Sequence, residues 1–391
     1  MKILKVTGGF PPAEKEGGTA VVGHALAKYL TRLGHEVKAF TTNINGPGWL
    51  EYGNEWREYD EVSVYYAQAS KKWTRYYSPS LIKELEKHIC DADIVLMAAV
   101  WVWYGPQVAR LCRKYNVPYV LYPHGVRSRE RMLMQSFYKK TAWWYMFDKK
   151  MFLNADGLVA ITESERQEML SIGIKCPIKV IPNGVESIPL VQDPRQLLFN
   201  LYGIPIESPI VFFIGRIETI KGVDLAISSF ELVLKKCPSA TLVLAGPDRE
   251  NLTEKLVSMA TELGISDRVI FTGSVKGDTR SALYHSASLL LLPSITEVLA
   301  MSVLEALKCG VPVVVTDKEA FVDVIDGGAG LGCERNKEDI ATAILSLLLD
   351  EKTIEMMQAK AKQLAEEMYS WRVVSERTVA FCESLLAGQK K

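Results

Sequence analysis

A chain of 391 residues exceeds one ordinary hydrophobic core and suits two α/β domains. Hydrophobic residues make up 48% and charged residues 24%, a globular composition that excludes disorder. Lys and Arg (46) balance Asp and Glu (46), and a net charge of zero disfavours broad nucleic-acid binding, which needs a net basic face.

Short apolar runs ending in Gly, Pro or Ser alternate with helical patterns. Before a break near residue 187 the expected strands are Ile3–Thr7, Glu36–Thr42, Ile94–Ala99, Tyr119–Tyr122, Gly157–Ile161 and Ile178–Ile181. After it they are Ile210–Ile214, Thr241–Ala245, Val269–Thr272, Leu289–Leu292 and Pro312–Thr316. Between them lie amphipathic stripes, Val22, Leu26, Leu30 and Leu33 in the first half and Val223, Ile227, Phe230 and Leu234 in the second. Strand–helix–strand alternation implies parallel sheets covered by helices, with ligands beyond the strands' carboxyl ends. The expected division is 1–186, 187–366 and a closing helix in 367–391 that packs back, with Val374, Phe381 and Leu385 on one face.

Seven scattered cysteines without C-x-x-C indicate a reducing compartment rather than a disulfide framework or a zinc site. The apolar start is too short for a signal peptide, and no uncharged run reaches the ~18 residues of a spanning helix. A cytoplasmic protein is expected, at most peripheral at the inner face of the cell membrane. Arg127 to Lys150 sharpens that last point: seven Lys or Arg face Glu130 and Asp148, net +5, with Phe137, Tyr138, Trp143, Trp144, Tyr145 and Phe147 interleaved. Such a segment can lie on an anionic membrane; the alternative is aromatics packed inward under solvated cations.

Three loops carry chemistry. Gly8-Gly9, then Gly17-Gly18-Thr19, follow the first strand, where glycines let backbone amides approach an anion and a helix adds its dipole. A flexible turn is the alternative. This is not G-x-G-x-x-G, and no acidic residue ends the second strand, so a nicotinamide cofactor is disfavoured. Gly215 to Gly222 places Arg216 and Lys221 on one strand-end loop, able to converge on a diphosphate, Arg in bidentate fashion and Lys as a point charge, or else simply solvated. Glu297 and Glu305 stand eight residues apart, one before and one inside an apolar helix starting near Ala300. Glu305 there could accept from a ribose diol and Glu297 could reach a sugar, while two solvated glutamates are the alternative. Trp101, Trp103 and Tyr104 line an acceptor groove or pack half-buried. His24, His35, His88 and His285 lack ligand spacing, so no metal site is expected.

Together these features resemble the retaining glycosyltransferases of family 4 (group 1), which have the GT-B fold, over nearly the whole chain. Tyr122-Pro123-His124-Gly125 resembles their strand-end histidine beside the transferred sugar, and Thr162-Glu163-Ser164 their turn before a helix. Ile181-Pro182-Asn183-Gly184-Val185 is similar to the family's segment before the linker. Gly17 and Gly18 match its donor-phosphate loop, Arg216 and Lys221 its phosphate cations, and Glu297 and Glu305 its paired glutamates. Val298-Leu299-Ala300 replaces the usual Gly-Phe-Gly, which puts the sugar preference in question.

The resemblance implies two Rossmann-like α/β domains with parallel sheets facing across a cleft, acceptor side first and donor side second. It implies His124, Glu297, Arg216 and Lys221 as catalytic residues, and Gly17, Gly18, Arg216, Lys221, Leu299, Ala300 and Glu305 as donor contacts. No cofactor is expected beyond a UDP- or GDP-sugar as donor substrate. The expected acceptor is a glycan or lipid-linked molecule, with no nucleic acid. A degenerate nucleotide-sugar binding protein and an epimerase of the same fold are the rival readings.

Overall fold

The computed structural model describes residues 1–70, 76–124 and 141–389. The chain forms two compact units, Met1–Gly184 with Trp371–Lys391, and Val185–Ser370.

The first unit contributes strands β1 (Lys2–Val6), β2 (Glu36–Thr42), β3 (Ile44–Asn45), β4 (Gly48–Trp49), β5 (Glu55–Tyr59), β6 (Val62–Ala67), β7 (Ile94–Met97), β8 (Tyr119–Leu121), β9 (Gly157–Ala160) and β10 (Ile178–Val180). Its main sheet runs β10-β9-β8-β7-β1-β2-β6-β5, with β3 and β4 pairing separately. All neighbours in the main sheet are parallel except β5 against β6. The order turns back between β1 and β7, which places the ligand-binding end at the loops after those strands.

The sequence pattern does not anticipate β5 and β6. Asp60 and Glu61 join them with φ of 45° and 72°, two consecutive left-handed residues as in a type I′ hairpin. That turn ordinarily advertises itself with Gly or Asn-Gly. The strand Glu55-Trp56-Arg57-Glu58-Tyr59 is polar because it forms the sheet edge.

Helix Gly18–Arg32 buries Val22, Leu26 and Leu30, whereas Leu33 falls just past its end and is exposed. Helix Glu163–Ser171 opens at Thr162, whose hydroxyl accepts from Glu165 N at 3.2 Å, while the Glu165 carboxylate reaches back to Ile161 N at 2.7 Å. The arrangement resembles a capping box. Helix Trp371–Gln389 closes this unit. A Cβ on Gly184 would overlap the Trp371 ring, and one on Gly157 would meet Phe381 and Leu385, so both glycines make room for that helix.

The second unit contains β11 (Ile210–Ile214), β12 (Thr241–Ala245), β13 (Val269–Gly273), β14 (Leu289–Leu292), β15 (Val313–Val315) and β16 (Gly330–Gly332). They form an all-parallel sheet in the order β13-β12-β11-β14-β15-β16. Its strands are continuous apolar runs because helices cover both faces. The order turns back between β11 and β14. The ends of this unit lie side by side: Val185 N donates to Tyr369 O at 2.7 Å, and Val185 bridges Ser370.

Candidate functional site

In the second unit the two loops flanking the turn-back point carry the predicted residues. After β11 come Gly215 and Arg216, then a 3₁₀ turn Thr219–Lys221. After β14 come Pro293, Ser294 and Glu297. An ion pair between Lys221 Nζ and Glu297 Oε1 ties the loops together, and Glu297 is only 5% exposed. Glu297 also accepts from Ser294 Oγ at 2.7 Å, and its own N–H donates to Asp317 Oδ2 at 2.6 Å. Burial, and then the Glu297 charge, push the Asp317 carboxyl above its ordinary range, against the backbone N–H groups of Glu297 and Ala320.

The glycine of Lys221-Gly222 has a specific reason. Gly222 has φ of 67°, and a Cβ there would overlap the Pro293 carbonyl oxygen. Nothing larger lets the loops approach closely enough for Ile295 N to reach Ile220 O at 2.8 Å. From the loop after β12, Glu250 accepts from Thr219 N at 2.9 Å and from Thr219 Oγ1 at 2.6 Å, which steadies the same turn. Ser294, Asp317 and Glu250 were not singled out in the sequence. For Asp317 the available signal was its position just beyond a strand's carboxyl end.

Arg216 and Lys221 share a loop but not a partner. Arg216 Nη1 pairs with Glu218 Oε1 at 2.8 Å and is 56% exposed. Glu305 lies within helix Met301–Lys308, whose N-cap is Ala300. Its Oε2 accepts from Tyr284 Oη at 2.5 Å and pairs with Arg280 Nη2 at 2.5 Å. These two residues, both on helix Gly277–Ser286, hold that one carboxylate oxygen of Glu305. Leu299 is buried and precedes the helix start.

In the first unit Gly17 has φ of 75°, caps helix Gly18–Arg32, and has open space where a Cβ would project. Gly8 and Gly9 are different. The Tyr76 ring covers Gly8, the Glu16 side chain covers Gly9, and Tyr76 Oη donates to the Glu16 carboxylate. Their smallness admits those two side chains.

His124 follows β8 with φ of 53°, and its ring lies 6.1 Å from that of Tyr122. Burial, and then the Lys5 cation, push the imidazole down to about 3, so it is neutral at physiological pH. Gly125 lies outside the described residues. Trp101 has φ of 58°, and its N–H donates to the buried Asp148 at 2.9 Å. Trp103 packs on Tyr77, and the fully buried Tyr104 donates to Ala98 O at 2.5 Å.

Of the basic segment, Arg127, Arg129, Glu130, Arg131, Phe137, Tyr138, Lys139 and Lys140 lie outside the described residues. Of the rest, Trp144 and Asp148 are buried, while Tyr145, Met146, Phe147, Lys149 and Lys150 are exposed.

Among the described residues no cluster of three or more His, Cys, Asp or Glu could hold a metal. Asp91-Ala92-Asp93 has the D-x-D spacing of a metal-diphosphate clamp, but it precedes β7. Asp93 there accepts from Lys2 N at 2.6 Å, at the amino end of the sheet, away from His124. No described helix is long and apolar enough to cross a membrane.

The model of glycosyltransferase family 4 matches residues 16–187, and that of glycosyl transferases group 1 matches residues 195–364. An uncharacterized glycosyltransferase of Methanocaldococcus jannaschii is 27% identical over 395 residues, 97% of either chain. The GDP-mannose-dependent alpha-(1-6)-phosphatidylinositol monomannoside mannosyltransferase of Mycolicibacterium smegmatis is 25% identical, covering 100% of this chain and 99% of its own. Among solved structures, sucrose-phosphate synthase from Thermosynechococcus elongatus aligns with a TM-score of 0.78 at 18% identity, over 99% of this chain and 100% of that one. With a family model matched to each half and two doubly wound sheets beneath them, the chain belongs to the GT-B glycosyltransferases of family 4, group 1.

Proposed function

We propose that this glycosyltransferase moves a hexose from a nucleotide-diphosphate sugar to an acceptor hydroxyl with retention, in the synthesis of a glycan, glycolipid or cell-envelope polysaccharide. The observation that carries the reading is the Lys221–Glu297 pair across the turn-back point of the second sheet, where such folds bind ligands. Lys221 and Arg216 supply cations for the charge that grows on the departing diphosphate, and the amides at the start of helix Met301–Lys308 add to them. Glu297, fixed by Ser294 and Asp317, is set to bind sugar hydroxyls, and Glu305 the ribose. His124 meets the transferred sugar as a neutral imidazole. In this reading the leaving phosphate assists the acceptor hydroxyl, and no metal takes part.

A panel of UDP-, GDP- and ADP-sugars tests it by thermal shift, since a ligand that binds the folded state raises the melting temperature by mass action. Turnover is then followed with the stabilising donor in excess EDTA, with NMR assignment of the product's anomeric configuration. Loss of activity in EDTA with recovery on Mg²⁺ or Mn²⁺, or an inverted product, refutes the mechanism. Donor binding without transfer to any acceptor favours the degenerate binding protein, and donor conversion without acceptor the epimerase.

The same reading places the acceptor or its carrier at an anionic membrane, on the strength of the +5 segment and the exposed Tyr145, Phe147, Lys149 and Lys150. Salt-sensitive co-sedimentation with anionic liposomes, weakened by Lys149→Glu/Lys150→Glu, is the expected result. Recovery in the supernatant under all conditions points to a freely diffusing acceptor.

A further inference from the structure

Glu305 is the one acidic residue of helix Met301–Lys308, set among buried Val303, Leu304, Ala306 and Leu307. A lone carboxylate on a helix ordinarily turns to solvent. This one is held by two donors at once. Its Oε2 accepts from Tyr284 Oη and pairs with Arg280 Nη2, each at 2.5 Å. Arg280 and Tyr284 stand four positions apart on helix Gly277–Ser286 and so share a face, with the guanidinium carbon 5.4 Å from the centre of the Tyr284 ring. Tyr284 is fully buried, and its ring meets Phe212 of β11 edge to face at 5.3 Å, which fixes where the hydroxyl sits. Burial, and then the Glu305 charge, hold that hydroxyl well above its ordinary range, so it stays a donor.

Both helices begin at strand carboxyl ends, one after β13 and the other after β14, and Arg280 and Glu305 stand in their first two turns. The pair therefore lies at the end of the second sheet where ligands bind. It is not sealed, because the Arg280 and Glu305 side chains keep 33% and 18% of their exposure. An ion pair that only joins two helices is strongest in the bidentate form, with the guanidinium on both carboxylate oxygens. Here both donors converge on Oε2 instead, and among the described residues no side chain engages Oε1.

We propose that Tyr284 and Arg280 are positioning residues for the donor's ribose: by holding Oε2 they set Glu305 so that Oε1 accepts from a ribose hydroxyl of the nucleoside diphosphate. The proposal rests on the reading of Glu305 as the ribose ligand. An ionised carboxylate only accepts and a sugar hydroxyl can donate, so the two are chemically matched. A side chain fixed before the nucleotide arrives loses no rotamer freedom when it binds. The ribose is remote from the reacting bond and is held alike in the ground state and the transition state, so losing its contact raises KM and leaves kcat.

The test uses isothermal titration calorimetry on the full-length protein. It compares the tightest binder among UDP, GDP and ADP with its 2′-deoxy and 3′-deoxy counterparts. The wild type is expected to prefer the ribo form to one of the deoxy forms by about tenfold or more, the effect of losing one hydrogen bond to a charged group. Tyr284→Phe and Arg280→Met are each expected to reduce that preference to about threefold or less, with the affinity for the deoxy form nearly unchanged. Arg280→Lys, which keeps a charged donor, is expected to retain most of it. In turnover with the sugar donor, Tyr284→Phe is expected to raise KM several-fold at near-wild-type kcat. Should Arg280→Met fail to fold, Tyr284→Phe removes only one oxygen atom and gives the same readout.

A wild-type preference that both variants keep overturns the proposal. So does an equal loss of affinity for ribo and deoxy forms, which marks a merely structural pair. A diphosphate bound by the wild type with no ribose preference overturns it too, and leaves the transferase reading intact. Failure of the wild type to bind any nucleoside diphosphate refutes the transferase reading itself and the proposal with it.

Discussion

Two cations on one loop have different surroundings, and this separates what their removal does. Arg216 is half exposed and pairs with Glu218, so Arg216→Ala is expected to leave stability unchanged. It should lower kcat/KM by roughly 2–4 kcal/mol of transition-state stabilisation, as lost oxyanion donors do. Lys221→Ala is expected to do the same to kcat/KM and also to lower the denaturation midpoint, because it leaves the nearly buried Glu297 without its cation. Steady-state kinetics beside urea melts checks both, and near-wild-type kcat/KM in both variants refutes this placement of the diphosphate. Lys5 gives a pH-dependent case. The unfolded chain keeps its proton up to about pH 10.5 and the folded chain only up to about 8, so stability rises with pH across that window. Below pH 8 the full cost persists, on the order of 3 kcal/mol. Lys5→Met is therefore expected to raise the melting temperature at pH 7 and much less at pH 10.5; an equal gain at both would assign the effect to packing. Arg216 and Lys221 could be read in the sequence by type, but their partners could not, and Lys5 was not singled out there at all. Lys221 and Glu297 lie 76 positions apart, and Lys5, Tyr122 and His124 meet only because β1 and β8 both flank β7.

The elements were easiest to read where one physical cause dominates. Buried parallel strands are mostly apolar runs, even where a lysine intervenes as in β1, β2 and β10, so β1, β2 and β7 through β15 fall within a residue or two of where the pattern puts them. The hairpin β5–β6 was invisible because its turn spends two left-handed residues on Asp60 and Glu61, and β16 because Gly330-Leu331-Gly332 reads as loop. Glycine was the least legible residue. Gly8 and Gly9 look like an anion loop yet make room for Tyr76 and Glu16, while Gly222 brings two strand-end loops together. Gly222→Ala would combine a left-handed alanine with an overlap against the Pro293 carbonyl. It is expected to cost several kcal/mol and to part Lys221 from Glu297, with loss of both stability and turnover. Gly264→Ala is the control. Its φ of 71° is also left-handed but a Cβ there has open space, so it should cost only about 1–2 kcal/mol and leave kcat unchanged. Similar losses in the two variants, by urea melts and kinetics, would show that close approach at Gly222 does not matter.

Over the whole molecule, the first unit is discontinuous and the second is not. Fragment 185–370 contains one sheet, its covering helices and both of its paired ends, so it is expected to unfold cooperatively by itself. Fragment 1–184 lacks the helix that carries Trp371, Phe381, Cys382 and Leu385, all buried. It is expected to be aggregation-prone and to fold when helix 371–389 is restored. A fragment 1–184 that melts cooperatively would show that this helix is dispensable.

The same discontinuity sets an order of events during synthesis. When Gly184 has been added, the first sheet is complete in strands but still lacks its last helix. The ribosome must then make the whole of the second unit, 186 residues (185–370), before Trp371 appears. At about 5–20 residues per second, that interval is roughly 10–40 s. Throughout it the part of the sheet that carries Gly157, Lys5 and Tyr122 lacks the cover of helix 371–389, while the second unit is free to finish folding. The nascent chain thus has a window, tens of seconds long, in which the unit made first is the one completed last, and in which a chaperone would find the greasy seat of Trp371 and Phe381 open.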